Sequence, residues 1–159
     1  MKRLLLLLTL AVAFTACGNN SNKAKGDPNS PVAQYISLLQ EVPVEGAVIV
    51  TTPQDVALAD VEKGVDMFKN KNIDRKIFGL VENMAWFTPE EHPDEKYYIF
   101  GREGGVRMAE RFEIPLLGQI PLVQSIREGG DDGEPAALGS RPDSLAFLDL
   151  AGKLAEQIG

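Results

Sequence analysis

Residues 46–68, GAVIVTTPQDVALADVEKGVDMF, constrain the fold of this chain more than any other stretch. Val48, Ile49 and Val50 form a short continuous apolar run, the pattern of a strand buried on both faces. Thr52 is placed to act as an N-cap, with Pro53 at the first helical position and Asp55 three residues on. Val56, Leu58, Ala59, Val61, Val65, Met67 and Phe68 then recur every three to four positions and predict one apolar helical stripe. A strand that feeds an amphipathic helix is half of a βαβ unit, so the segment points to a parallel α/β sheet.

The rest of the chain continues that alternation. Val32–Glu41 reads as a short amphipathic helix, residues 46–51 as a strand and residues 54–70 as a helix. KNKNIDRK is a polar turn, and Ile77–Val81 is a second buried strand. Residues 83–96 form a long acidic loop. Tyr97–Phe100 reads as a small strand, GREGG as a turn and residues 104–112 as a helix. Leu116–Ile120 is a third strand, Val123–Arg127 a short helix, GGDDGEP a flexible turn and Ser144–Ile158 a closing helix. Parallel neighbours need crossover connections, so the expected architecture is an α/β fold with a partial parallel sheet of about three strands and flanking helices. Trp86, Phe87, Tyr97 and Tyr98 are expected to cluster beneath the long loop rather than to form a stacking platform.

Charge divides the chain unevenly. Only Lys2, Arg3, Lys23 and Lys25 precede Asp27, so residues 27–159 hold 12 basic and 23 acidic groups, a net charge of −11. Such a body argues against nucleic acid and anionic membrane surfaces as partners. The start, MKRLLLLLTLAVAFTAC, has the basic opening, the apolar run and the small residues of a secretory signal. Its ending, Phe14-Thr15-Ala16-Cys17, resembles a bacterial lipobox with Phe14 where Leu is usual. Residues 1–17 are therefore read as a lipoprotein-type signal helix with Cys17 as the lipidation site. Residues 18–30 are a polar tether and residues 31–159 the α/β domain. The competing reading is a buried N-terminal helix of a soluble protein. The single cysteine excludes an internal disulfide and a CxxC site.

TTPQDVALADVEKG, GLVENMAWF, YYIFGREGG, LLGQIPL and SIREGGDDGEP occur in an order and spacing similar to the C-terminal half of Mrp/ApbC-type proteins. These are ATPases of the MinD/ParA-like P-loop class, implicated as iron–sulfur cluster carriers, and the resemblance covers roughly residues 35–158. It implies half of a P-loop NTPase fold, ATP as cofactor, an iron–sulfur cluster as cargo and a cytoplasmic setting. It also implies that Asn83 and Pro121 contact adenine, because an Asn amide can read the donor–acceptor edge of the base. A structural role for Asn83, capping a strand and stabilising its turn, remains the alternative.

The departures from that family are chemical. No GxxxxGK[ST] phosphate loop occurs anywhere in the sequence, nor does the Asp-bearing strand with its DxPPGTGD-like switch, so phosphoryl transfer lacks its cradle, its Lys and its metal ligands. GREGG, flanked by Arg102 and Arg107, is the one other candidate for an anion, and it reads better as a structural turn. The family's CPxC pair falls at Pro89 and His92. Proline cannot ligate a metal, and His92 with Glu91 and Asp94 is a weak set for a harder ion. Catalytic residues are therefore expected to be absent.

Three functions stay open at this point. One is an ATP-binding iron–sulfur carrier or assembly protein, catalytically incomplete in this chain. The second is a membrane-tethered, non-enzymatic binding module, and the third is a rearranged gene fragment. Strand 46–51 is apolar on both sides, so an open edge there invites a homodimer or a partner that completes the sheet. A lipidated Cys17 would place the body on the periplasmic or outer face of a membrane, in conflict with the cytoplasmic setting of the family.

Overall fold

The computed structural model describes residues 42, 44–71, 73–89, 91, 92 and 94–159. The expected signal helix, Cys17, the tether and the helix at Val32–Glu41 lie outside these residues.

Three strands and four helices follow one another as β1 (Gly46–Thr51), α1 (Asp55–Phe68), β2 (Lys76–Phe87), α2 (Gly104–Phe112), β3 (Leu116–Leu122), α3 (Gln124–Asp132) and α4 (Pro142–Ile158). A short 3₁₀ turn, Ala136–Leu138, lies between the last two helices. The strands form one sheet in the order β1-β2-β3, and both pairings are parallel. This is the α/β architecture expected from the alternation of apolar runs and helical stripes.

Side-chain alternation along β2 divides the core in two. Leu80 faces a cluster with Leu58, Val61 and Val65 of α1 and Met108 and Ala109 of α2. Val81 faces the other way and packs with Leu117 and Ile120 of β3 and with Phe147 and Leu150 of α4. The sheet is thus covered by α1 and α2 on one side and by α4 on the other, which is why its central strand reads as an unbroken apolar run. Gly79 allows β3 to approach, since a Cβ there would lie 2.6 Å from both the Pro115 carbonyl oxygen and Leu117 Cγ.

Several local expectations need correction. Helix α1 starts two residues later than the capping pattern predicts. Its N-cap is Gln54, and the Thr52 hydroxyl donates to Gln54 Oε1 at 3.3 Å instead of capping the helix. Pro53 is buried because the turn before α2 packs over it: a Cβ on Gly104 would meet the Pro53 carbonyl oxygen at 2.6 Å. Tertiary packing, not the local signal, sets this boundary. Val56 faces solvent, 64% exposed, although it matches the apolar period. Strand β2 runs to Phe87, so the first part of the expected loop is strand. Tyr97 makes an isolated antiparallel bridge to Phe87 rather than opening a strand of its own. The GGDD portion of the expected flexible turn is helical, closing α3 at a left-handed Gly133.

The aromatic residues around residues 86–98 also separate. Phe87 and Tyr97 pair with ring centroids 6.5 Å apart, while Trp86 lies under the Lys96 ammonium and Tyr98 under Arg102. No helix among the described residues is long and apolar enough to cross a membrane.

Candidate functional site

Parallel strands bring all their C-terminal ends to one rim of the sheet, where open α/β folds bind ligands. Four segments meet there: Thr51–Gln54 after β1, Asn83 and Met84 in β2, the Gly101–Gly105 turn, and Gln119–Leu122 of β3. The register sets Thr51 beside Glu82, Glu82 beside Gln119 and Asn83 beside Ile120. Asn83 and Pro121 are therefore neighbours on adjacent strands, one register step apart.

Backbone geometry singles out Asn83. Met84 follows it with φ +55°, a left-handed conformation rare for a side chain of that size, and the pairing with β3 is irregular from Asn83 to Phe87. Irregularities of this kind re-aim side chains beside binding sites. Asn83 is half-buried, and its side-chain amide makes no hydrogen bond among the described residues. Among the described residues β3 pairs on one side only, and an edge strand of this kind tolerates Pro121.

The most buried polar group of the rim is one that the sequence reading passes over. Glu82 is fully buried, with 0% exposure. Its Oε1 accepts the Gly105 backbone N–H at 2.8 Å, and its Oε2 accepts the side-chain amide of Gln119. Glu82 thereby joins the central strand to the N-terminus of α2 and to β3. Helix N-termini favour a carboxylate for electrostatic reasons, and close approach requires Gly105, where a Cβ would lie 2.8 Å from Glu82 Cβ. The signal was present in GLVENM: an acid inside an apolar strand must find donors.

This arrangement decides the role of GREGG. The Gly105 amide that would cradle a phosphate is already occupied by Glu82, Glu103 caps α2 in a left-handed conformation, and Arg107 donates to the Arg102 carbonyl at 2.7 Å. The turn is a structural joint.

In the loop beyond β2, His92 and Glu91 are exposed, and the His92 N–H donates to the Pro89 carbonyl. Among the described residues, no group of three or more His, Cys, Asp or Glu is placed to share a metal ion. The donor chemistry does not suit an iron–sulfur cluster either. The sequence holds one cysteine, Cys17, and no thiolate stands in this loop. In the same loop Tyr97 donates its hydroxyl to Glu95, and that neighbouring carboxylate raises the pKa of the exposed phenol.

Comparison with known proteins agrees with the fold. Residues 30–158 match the family described as ParA, NUBPL iron-transfer P-loop NTPase. The iron-sulfur cluster carrier protein of Synechocystis sp. is 43% identical over 123 residues, covering 77% of this chain and 34% of the relative. The iron-sulfur cluster transfer protein NUBPL of Dictyostelium discoideum is 48% identical over 126 residues, covering 77% and 38%. Among solved structures, a nucleotide-binding protein in complex with ADP from Archaeoglobus fulgidus superposes with a TM-score of 0.55 at 31% identity, over 62% of this chain and 40% of that one. The cell division ATPase MinD of Pyrococcus furiosus gives 0.53 at 27% identity, over 70% and 43%. The chain spans little more than a third of the length of the curated relatives it matches. With a family match over most of its residues and relatives above 40% identity, this chain belongs to the ParA-type family of iron-transfer P-loop NTPases.

Proposed function

We propose that this chain carries the adenine-binding rim of an iron–sulfur carrier NTPase and binds nucleotide through its base, without hydrolysing it and without holding a cluster by itself. The observation that supports this reading most is the placement of Asn83, whose half-buried amide has no hydrogen-bond partner among the described residues, one register step from Pro121 on the next strand. The phosphate end has no counterpart: the sequence contains no GxxxxGK[ST], and the one glycine-rich turn at the rim spends its amide on Glu82.

Equilibrium binding of fluorescent adenosine, ADP and ATP derivatives to the full chain tests the proposal. All three are expected to bind weakly and within about threefold of one another, with Asn83→Ala weakening each by roughly tenfold, about 1.4 kcal/mol. No phosphate release above the buffer rate is expected. ATP binding far tighter than adenosine, or no binding at millimolar nucleotide, would overturn it.

The leader-like start supports a membrane tether through Cys17 as a second reading of where this module works, with the edge of β1, unpaired among the described residues, offered to a second copy or to a partner strand. Growth of an expressing bacterium on radioactive palmitate should label the wild-type chain and leave Cys17→Ala unlabelled. Equal labelling of both, or labelling of neither, removes the tether.

A further inference from the structure

At the opposite end of the strands from Asn83 lies a cleft of about 320 Å³, with Ile77, Phe112 and Ile114 as its apolar floor and Lys69, Arg75 and Lys76 around it. The KNKNIDRK turn supplies these cations. Four of the twelve basic residues after position 27 fall within residues 69–76. In so acidic a chain they would be expected to find carboxylate partners, yet none of Lys69, Arg75 and Lys76 forms an ion pair among the described residues.

The cations are instead held in place by groups that leave their charge uncompensated. Lys69 donates to the Phe112 carbonyl at 3.4 Å and lies 5.8 Å from the centroid of the Phe112 ring. Lys76 donates to the Gln157 carbonyl at 2.8 Å and lies 5.2 Å from the Phe78 ring. Each ammonium keeps two donors free. Arg75 is the decisive residue: its half-buried guanidinium forms no ion pair among the described residues, and its Nε is buried without a hydrogen-bond partner. Glu113 is the one carboxylate in the lining, so the cleft carries excess positive charge.

We propose that this cleft binds an acidic peptide segment of a partner protein, with Arg75 taking a carboxylate and the floor taking an adjacent aliphatic side chain. Guanidinium geometry suits a carboxylate, and the apolar floor adds contacts for a peptide side chain that an inorganic oxoanion cannot use. The site is separate from the nucleotide rim and does not depend on nucleotide binding.

The test is an NMR titration of the isotope-labelled full chain with acetyl-Leu-Glu-Glu-Leu-amide, with its Leu-Gln-Gln-Leu counterpart and with inorganic phosphate. The glutamyl peptide should shift the Arg75 Nε–H and the Ile77 and Ile114 methyl signals to saturation. Arg75→Gln and the double variant Lys69→Gln/Lys76→Gln should each weaken it by about tenfold or more, as should the Gln peptide. Lys71→Gln, in the same turn but outside the lining, should leave it unchanged. Equal binding of the Gln peptide, or unchanged affinity in whichever charge variant keeps a native amide spectrum, would falsify the proposal. So would phosphate that matches the peptide in affinity while the methyl signals stay still, because the cleft would then be a simple oxoanion site.

Discussion

Glu82→Ala is expected to lower the unfolding free energy by about 3 kcal/mol or more, read as a large drop in the urea midpoint by far-UV circular dichroism. Glu82 is fully buried and accepts two donors, the Gly105 N–H and the Gln119 amide. Truncation strands the buried Gly105 N–H without an acceptor, at about 1–3 kcal/mol, removes the acceptor of the part-buried Gln119 amide and leaves a cavity between β2 and α2. Glu82→Gln keeps one acceptor, and a flipped Gln119 amide can supply the missing partner, so its cost should be nearer 1 kcal/mol. Because the two side chains share one contact, Glu82→Ala/Gln119→Ala should cost less than the sum of its single substitutions. A Glu82→Ala midpoint equal to wild type would show that this joint contributes nothing to the sheet–helix packing. Under the proposed adenine reading of the rim, loss at Glu82 should also weaken binding of the base, because Asn83 is its chain neighbour and the strand end would lose its anchor.

The second large effect is expected at Leu80. It is fully buried on the central strand and packs against α1 and α2 together. Leu80→Ala should cost roughly 2–5 kcal/mol, against a total stability of about 5–15 kcal/mol for an ordinary domain. Among the described residues the sheet has three strands, two of them at edges, so a broad transition with an early onset is the expected readout in thermal unfolding. Val56→Ala provides the contrast. It sits on α1 in the same apolar period but is 64% exposed, and its replacement should move the midpoint by less than about 0.5 kcal/mol. Similar losses at Leu80 and Val56 would mean that the sheet-facing side of α1 has been wrongly identified.

The alternation of strand and helix was legible because it depends on local chemistry. Apolar runs at 48–50, 77–81 and 116–120 mark the three strands, and the stripe of Leu58, Val61, Val65 and Phe68 recurs at the helical period. The run at 48–50 was expected to be buried on both faces, but β1 is only half-buried and Val50 is 41% exposed, because how well a strand is covered depends on its neighbours. The site was half legible. Asn83 and Pro121 stand together at one rim because parallel strands in register must bring their ends together. Glu82 was hidden by its own neighbours: in GLVENM the residue next to it carries the family resemblance, and a buried acid is defined by donors that lie 23 and 37 residues away.

What the sequence by itself determined is the element order, the parallel sheet, the family and the absence of a phosphate-binding loop motif. These follow from residue periodicity and from which functional groups are present. Only the tertiary structure decided the boundary of α1, the length of β2, the occupation of the Gly105 amide and the gathering of Lys69, Arg75 and Lys76 around one cleft. Each of these depends on which distant groups compete for a donor, an acceptor or a buried position, and that competition exists only once the chain has folded.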